Sequence, residues 1–224
     1  MMKQDTCKKL IAFDLDNVLI DTTQHLELAK RIGNEENVRR VKDLIGQVRN
    51  GNLTLKAGLV EITKLLKGLS LHEVEEVANS LPLMPGVMET CGKLKSEHFK
   101  LAIISNGYSI IADHLKEKLG FNYAVANHLV FGLDRTTTGE IEGELLDERS
   151  KSRVLKRLLS DSGLSTKDCI AVGDGANDYY MLKAAGLSIA FNFSPKLKSL
   201  LQGEKKVKFV ARKDLRVILN YVVT

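Results

Sequence analysis

Apolar positions along the chain keep two rhythms, and the organisation changes where the rhythm does. Leu10-Ile11-Ala12-Phe13 is a continuous apolar run bounded by charges, which predicts a strand buried on both faces of a parallel sheet. From about 22 to about 80 the period is helical. Val38, Val41, Leu44, Ile45 and Val48 share one face, and Leu55, Leu59, Ile62, Leu65 and Leu66 share another. Asn50-Gly51-Asn52 separates these two helices, Thr54 is placed to cap the second, and Ser70 starts a third through Val74 and Val77. No strand candidate interrupts this stretch, which predicts a helical insertion able to form a small module of its own.

From Pro85 onward strands and helices alternate. Helices are predicted over 87–95, 109–119, 151–159, 178–185 and 215–222, and apolar strand runs at 101–104, 169–172, 187–191 and 207–210. Two short runs near Leu129–Phe131 and Ile141–Leu145 flank Gly132 to Gly139 and predict a hairpin. The alternation implies an α/β fold around a parallel sheet.

Composition narrows the class. With 224 residues, 44% hydrophobic and 27% charged, the chain has the make-up of a globular protein and not of a disordered one. No apolar run approaches the ~18–20 residues that cross a bilayer. The polar stretch Met1 to Lys9 does not read as a signal peptide, which places the chain in the cytoplasm. Cys7, Cys91 and Cys169 are odd in number and far apart, so neither a disulfide framework nor a zinc site is expected. His25, His72, His98, His114 and His128 are scattered and read as packed or solvated side chains. The net charge of +5 is concentrated between Lys196 and Lys213 and reads as a solvated face, with no nucleic-acid partner expected.

Polar residues gather where the strands end. In an open parallel sheet, sites form beyond the carboxyl ends of the strands. The first strand delivers Asp14 and Asp16, the second Ser105-Asn106-Gly107, and the third Gly173-Asp174-Gly175-Ala176-Asn177-Asp178. Two carboxylates as close as Asp14 and Asp16 repel unless a cation sits between them. Asp174 is placed to join Asp14 around a hard divalent cation such as Mg2+. Ser105 and the free backbone N–H groups beside it form an anion site. Lys151 opens a helix, where its charge opposes the dipole, so something there requires a cation. Taken singly, each has a plainer reading: a helix cap for Asp14, Asp16, Ser105, Asn177 and Asp178, and a surface residue for Lys151.

The set and its order resemble the haloacid dehalogenase superfamily of phosphatases, and within it the phosphoserine phosphatase-like branch. Asp14-Leu15-Asp16-Asn17-Val18 is similar to the first motif, Ser105 with Asn106-Gly107 to the second, Lys151 to the third and Gly173 to Asp178 to the fourth. Asn127-His128-Leu129 and Arg212 to Arg216 also resemble that branch. The resemblance implies a Rossmann-like core over 1–21 and 82–224, with a small helical cap over 22–81 inserted after the first strand. It implies that Asp14 attacks phosphorus to form an aspartyl-phosphate, and that Asp16 acts as general acid and base. It further implies Mg2+ on the Asp14 carboxylate, the Asp16 carbonyl and Asp174. The phosphoryl oxygens would be bound by Ser105, the Asn106 amide, Lys151 and Asn177, with Asp178 orienting Lys151 or a metal-bound water.

One departure falls in the cap. The branch binds the substrate's amino group through a glutamate and its carboxylate through an arginine, and these places fall at Thr23 and Ile62. Glu27, Lys56 and Lys64 lie nearby in sequence as substitutes. The reading is therefore a magnesium-dependent phosphomonoester hydrolase acting on a small phosphorylated metabolite, as a monomer or homodimer. A phosphotransferase using the same aspartyl-phosphate, and a non-enzymatic regulatory or nucleic-acid-binding protein on the same scaffold, are its rivals.

Overall fold

The computed structural model describes residues 9–223, so Cys7 and the N-terminal segment weighed above as a signal peptide lie outside the described residues. The core is a seven-stranded sheet. Its strands are β1 (Lys9–Phe13), β2 (Phe99–Tyr108), β3 (Tyr123–Phe131), β4 (Thr137–Glu142), β5 (Cys169–Gly173), β6 (Leu187–Phe191) and β7 (Val207–Val210). They lie in the order β4-β3-β2-β1-β5-β6-β7. All neighbours are parallel except β3 and β4, which form the expected hairpin. β1 is central, with Ile11 opposite Leu101 on one side and Ile170 on the other. A strand flanked on both edges and covered on both faces must be apolar throughout, and Leu10 to Phe13 are fully buried.

The first four of the five helices between β1 and β2 are α1 (Gln24–Ile32), α2 (Glu35–Arg49), α3 (Leu55–Leu65) and α4 (Leu71–Ser80). Their ends follow the sequence signals. Asn34 caps α2, Thr54 caps α3, and Ser70 with Glu73 forms a reciprocal capping box on α4. The remaining helices are α5 (Val87–Ser96), α6 (Ser109–Leu119), α7 (Ser150–Asp161), α8 (Tyr179–Ala184), α9 (Pro195–Leu201) and α10 (Leu219–Val222). Short α9 was not signalled by periodicity, and the expected 215–222 helix opens as a 3-10 turn over Leu215–Ile218. Among the described residues no helix is long and apolar enough to cross a membrane.

Two apolar clusters sandwich the sheet. One packs α7, α8 and α9 against Leu10, Ala12, Ala171 and Ala190. The other runs from Ile11, Phe13, Ile103 and Val172 without a break into Ile62, Leu66, Leu69 and Val74 of the helical insertion. The insertion thus shares its core with the sheet. A buried polar link reinforces this joint: the Tyr108 hydroxyl at the end of β2 lies 2.8 Å from Thr63 Oγ1 of α3, which in turn donates to the Leu59 carbonyl. Tyr108→Phe removes one neutral bond and should cost about 1 kcal/mol, whereas Thr63→Val strands a buried hydroxyl and should cost about 1–3 kcal/mol. Urea unfolding of both variants checks the order; equal or reversed losses would show that this link does not hold the insertion to the sheet.

Candidate active site

β1, β2 and β5 are adjacent and parallel, so their carboxyl ends open on the same edge. That edge brings Asp14, Ser105 and Asp174 together, and α7 adds Lys151 from the side. The ammonium of Lys151 lies 2.7 Å from Asp14 Oδ1 and 2.7 Å from Asp178 Oδ1, and all three side chains are buried. Asp178 does not cap α8. Its Oδ2 turns back and accepts from the N–H groups of Asp174 and Gly175. Gly173 makes room for this, because a Cβ there would sit 2.5 Å from Asp178 Cγ. Lys151, which alone reads as a surface residue, is 1% exposed.

The charges at this edge do not balance. Burial pushes the Asp14 carboxyl well above the ordinary range, and Asp178 and Asp174 add to the effect against the pull of Lys151. Burial alone would lower the Lys151 ammonium, but Asp14 and Asp178 outweigh it and raise the pKa. Asp174 is pushed up to about 7 by burial and by Asp178, in spite of Arg49. Oxygens of Asp14, Asp174 and Asp178 lie within 4.8 Å of one another. Asp174 Oδ2 is buried, with an ion pair to Arg49 Nη2 at 2.8 Å but no hydrogen-bond partner. Crowded carboxylates with an unsatisfied oxygen fit a hard divalent cation. Asp178 is the least free of the three, since both its oxygens are already engaged.

Asp16 faces a different set of partners. Its Oδ1 accepts from the Gln24 backbone N–H at 2.9 Å, and the Gln24 amide reaches it at 3.3 Å. The same amide reaches Ser105 Oγ at 3.4 Å, while Gln24 Oε1 accepts from the Tyr108 N–H at 2.8 Å. Gln24 is fully buried and ties the first strand end to the second. Gly107 is what admits it: a Cβ there would lie 1.9 Å from Gln24 Nε2. β2 runs on through Ser105-Asn106-Gly107 to Tyr108, so these residues do not start a helix as expected. The Asn106 side chain donates to the Leu145 carbonyl and accepts from Asn177 Nδ2 at 3.1 Å. Asn127 holds the Asn106 and Leu145 carbonyls from behind.

The insertion roofs a cavity over this edge. Thr23 and Ile62 line it. The substitutes expected from sequence do not. Glu27 is taken by the Thr22 hydroxyl and Lys30, Lys64 pairs with Glu61, and Lys56 is exposed. Glu27 stands one helical turn beyond Thr23, but its carboxylate is already committed to the Thr22 hydroxyl and Lys30, so nearness in sequence misleads here. The cation that does reach the cavity is Arg49, the last residue of α2, which also donates to the Asn192 carbonyl. His25 also departs from the scattered-histidine reading: it lines the cavity, with Nδ1 3.6 Å from Asp16 Oδ2. A polar Gln24-His25 pair on the inward face of an amphipathic helix was the available signal for both residues.

Comparison with known proteins agrees with this geometry. Residues 8–186 match the haloacid dehalogenase-like hydrolase family. The phosphoserine phosphatase of Methanocaldococcus jannaschii is 38% identical over 215 residues, 96% of this chain and 98% of that one. The phosphoserine phosphatase of Archaeoglobus fulgidus is 37% identical over 88% of this chain and 56% of its own length. Among solved structures, a substrate-bound phosphoserine phosphatase complex superposes with a TM-score of 0.88, and a phospho-aspartyl intermediate analogue of phosphoserine phosphatase with 0.87. Each is 37% identical and covers 96% of this chain and 98% of the other.

The raised carboxyls set a pH dependence. Asp174 holds its proton up to about 7 when folded, against about 4 in an unfolded chain. Between those values the folded state carries the extra proton, so this contribution to stability falls as pH rises and levels off above 7. A divalent cation competes with that proton. Added Mg2+ should therefore raise the melting temperature of the metal-free protein more at pH 8 than at pH 5.5, as scanning calorimetry would show. Equal shifts at both pH values would contradict a cation on Asp174.

Proposed function

The chain belongs to the haloacid dehalogenase-like hydrolase family, and from that membership we propose that it hydrolyses small phosphomonoesters through an aspartyl-phosphate, with Mg2+ as its cofactor. The observation that carries this reading is the buried Lys151 ammonium bridging Asp14 and Asp178 beside Asp174, at the shared edge of three parallel strands. Mg2+ would be held by the Asp14 carboxylate, the Asp16 main-chain carbonyl and Asp174, and would supply charge neutralisation to the phosphoryl group.

The side chains divide the work by their existing partners. Asp14 Oδ1 accepts from Lys151 and from the Leu15 N–H at 2.7 Å, which fixes the carboxylate and leaves Oδ2 for attack on phosphorus. The P–O bond to the alcohol breaks as the Asp14 acyl phosphate forms, and Asp16 gives the departing alkoxide a proton. Asp16 then takes a proton from water, which attacks the same phosphorus and releases orthophosphate and free Asp14. Gln24 holds Asp16 in place for both transfers. Ser105 Oγ, the Asn106 N–H, Lys151 and Asn177 would bind the phosphoryl oxygens, where fixed donors stabilise the redistributed charge. Asp178 acts through Lys151 as a positioning residue.

A cytoplasmic setting belongs to the same reading. Cys91 and Cys169 are free and buried, and burial pushes both thiols up to about 12, which keeps them unreactive.

Asp14→Asn tests the reading. The amide keeps the shape but is no nucleophile, so orthophosphate release should fall by a factor of about 10³ or more while circular dichroism and melting stay near those of the parent. Chelation with EDTA should stop the parent enzyme, and Mg2+ should restore it. Near-normal turnover by folded Asp14→Asn, or full activity after exhaustive chelation, would overturn the reading.

A further inference from the structure

The roof of the cavity is chemically simple. Ile45 and Val48 of α2 and Leu55, Leu59 and Ile62 of α3 line it. Leu55 and Leu59 are 4% and 3% exposed, yet they belong to neither apolar cluster of the core. The space they face is the cavity itself. The acidic and basic side chains nearest in sequence, Glu27, Lys56 and Lys64, are all engaged or exposed elsewhere. Arg49 is held at the strand-end side of the cavity by Asp174 and the Asn192 carbonyl.

Three further atoms bear on the ligand. Thr23 Oγ1, His25 Nε2 and Arg49 Nε are buried without a hydrogen-bond partner, and all three residues line the cavity, with the Arg49 charge already paired to Asp174. His25 is 94% buried, being 6% exposed. A buried polar atom without a partner is costly, and a neutral hydroxyl satisfies it as well as any group. An ammonium or a carboxylate would instead be stripped of water against five aliphatic side chains, while the charges on the strand-end side of the cavity already have partners: Asp174 pairs with Arg49, and Gln24 and His25 flank Asp16.

Resting on the phosphatase reading above, we propose that the substrates of this site are phosphomonoesters of uncharged aliphatic alcohols. The carbon body packs on Ile45, Val48, Leu55, Leu59 and Ile62, and a hydroxyl near the ester oxygen is met by Thr23 and His25. Zwitterionic esters such as L-phosphoserine are disfavoured. Thr23 and Ile62 are then specificity-determining residues, and the aliphatic wall is a binding site in its own right.

The test is kcat/KM with Mg2+ for ethyl, propyl and butyl phosphate, L-phosphoserine and phosphoethanolamine. Lengthening the alkyl chain hardly changes the leaving group, so the trend reads burial alone. It should rise about fourfold per methylene. L-Phosphoserine should fall at least about tenfold below butyl phosphate, although its alcohol is the better leaving group. Leu59→Ala should shrink the butyl-to-ethyl ratio, a readout that a general loss of folded enzyme leaves unmoved. Thr23→Glu with Ile62→Arg should raise the phosphoserine-to-butyl ratio, and a single restored charge should raise it less. A flat alkyl series, or a preference of the parent enzyme for L-phosphoserine over butyl phosphate, overturns the proposal while the phosphatase reading stands. Failure to release orthophosphate from any ester overturns both.

Discussion

The Lys151 ammonium sits between Asp14 and Asp178, 2.7 Å from each, in a place closed to water. Removing these charges from solvent is costly, and the triad is stable only because each ion meets several partners. Asp178 passes the constraint on, since its second oxygen holds the N–H groups of Asp174 and Gly175 and so fixes the loop leaving β5. Through three hydrogen-bonded side chains, the start of α7 is registered against the ends of β1 and β5. Truncating the lysine would leave two buried carboxylates unpaired, a change in the range of about 3–5 kcal/mol. The structure therefore spends stability at the same place where the proposed reaction needs a fixed cation beside its nucleophile.

The helical insertion depends on that frame at one remove. Gln24, at the first turn of α1, reaches both Asp16 and Ser105, and Gly107 leaves the space it occupies. Thr63 and Tyr108 tie α3 to the end of β2. The roof is thus located by polar contacts with the strand ends and by the shared apolar cluster, while its lower surface stays aliphatic over the cavity. In the proposed reading, catalytic geometry and substrate selection fall to different residue types: buried charges on the sheet edge, branched apolar side chains above it.

Much of this was legible in the chain because it is local. A continuous apolar run ending in Asp14-Leu15-Asp16, and another ending in Gly173-Asp174-Gly175, place carboxylates at strand ends whatever the rest of the chain does. The caps at Thr54 and Ser70 are equally local. What stayed hidden needs distant partners. β3 joins the sheet from Tyr123, but its burial is mixed on a strand whose outer neighbour is a hairpin arm, so only the part near Leu129 stands out in sequence. Arg49 reads as the end of an amphipathic helix until Asp174, far away in sequence, is brought beside it. Glu27 reads as a spare carboxylate until Thr22 and Lys30 are seen to occupy it. Gln24 and His25 carry no motif, and only their burial against Asp16 and Tyr108 marks them.

The central claim is that the fixed, lysine-bound carboxylate of Asp14 is the atom donor that takes the phosphoryl group. It is tested most directly by acid-quenching the enzyme during turnover of a phosphomonoester with Mg2+, reducing the trapped acyl phosphate with borohydride, and mapping the modified peptide by mass spectrometry. The account predicts that Asp14 is converted to homoserine and that no other carboxylate is. Reduction at another carboxylate, or sustained turnover with Asp14 unmodified under the same quench, would contradict it.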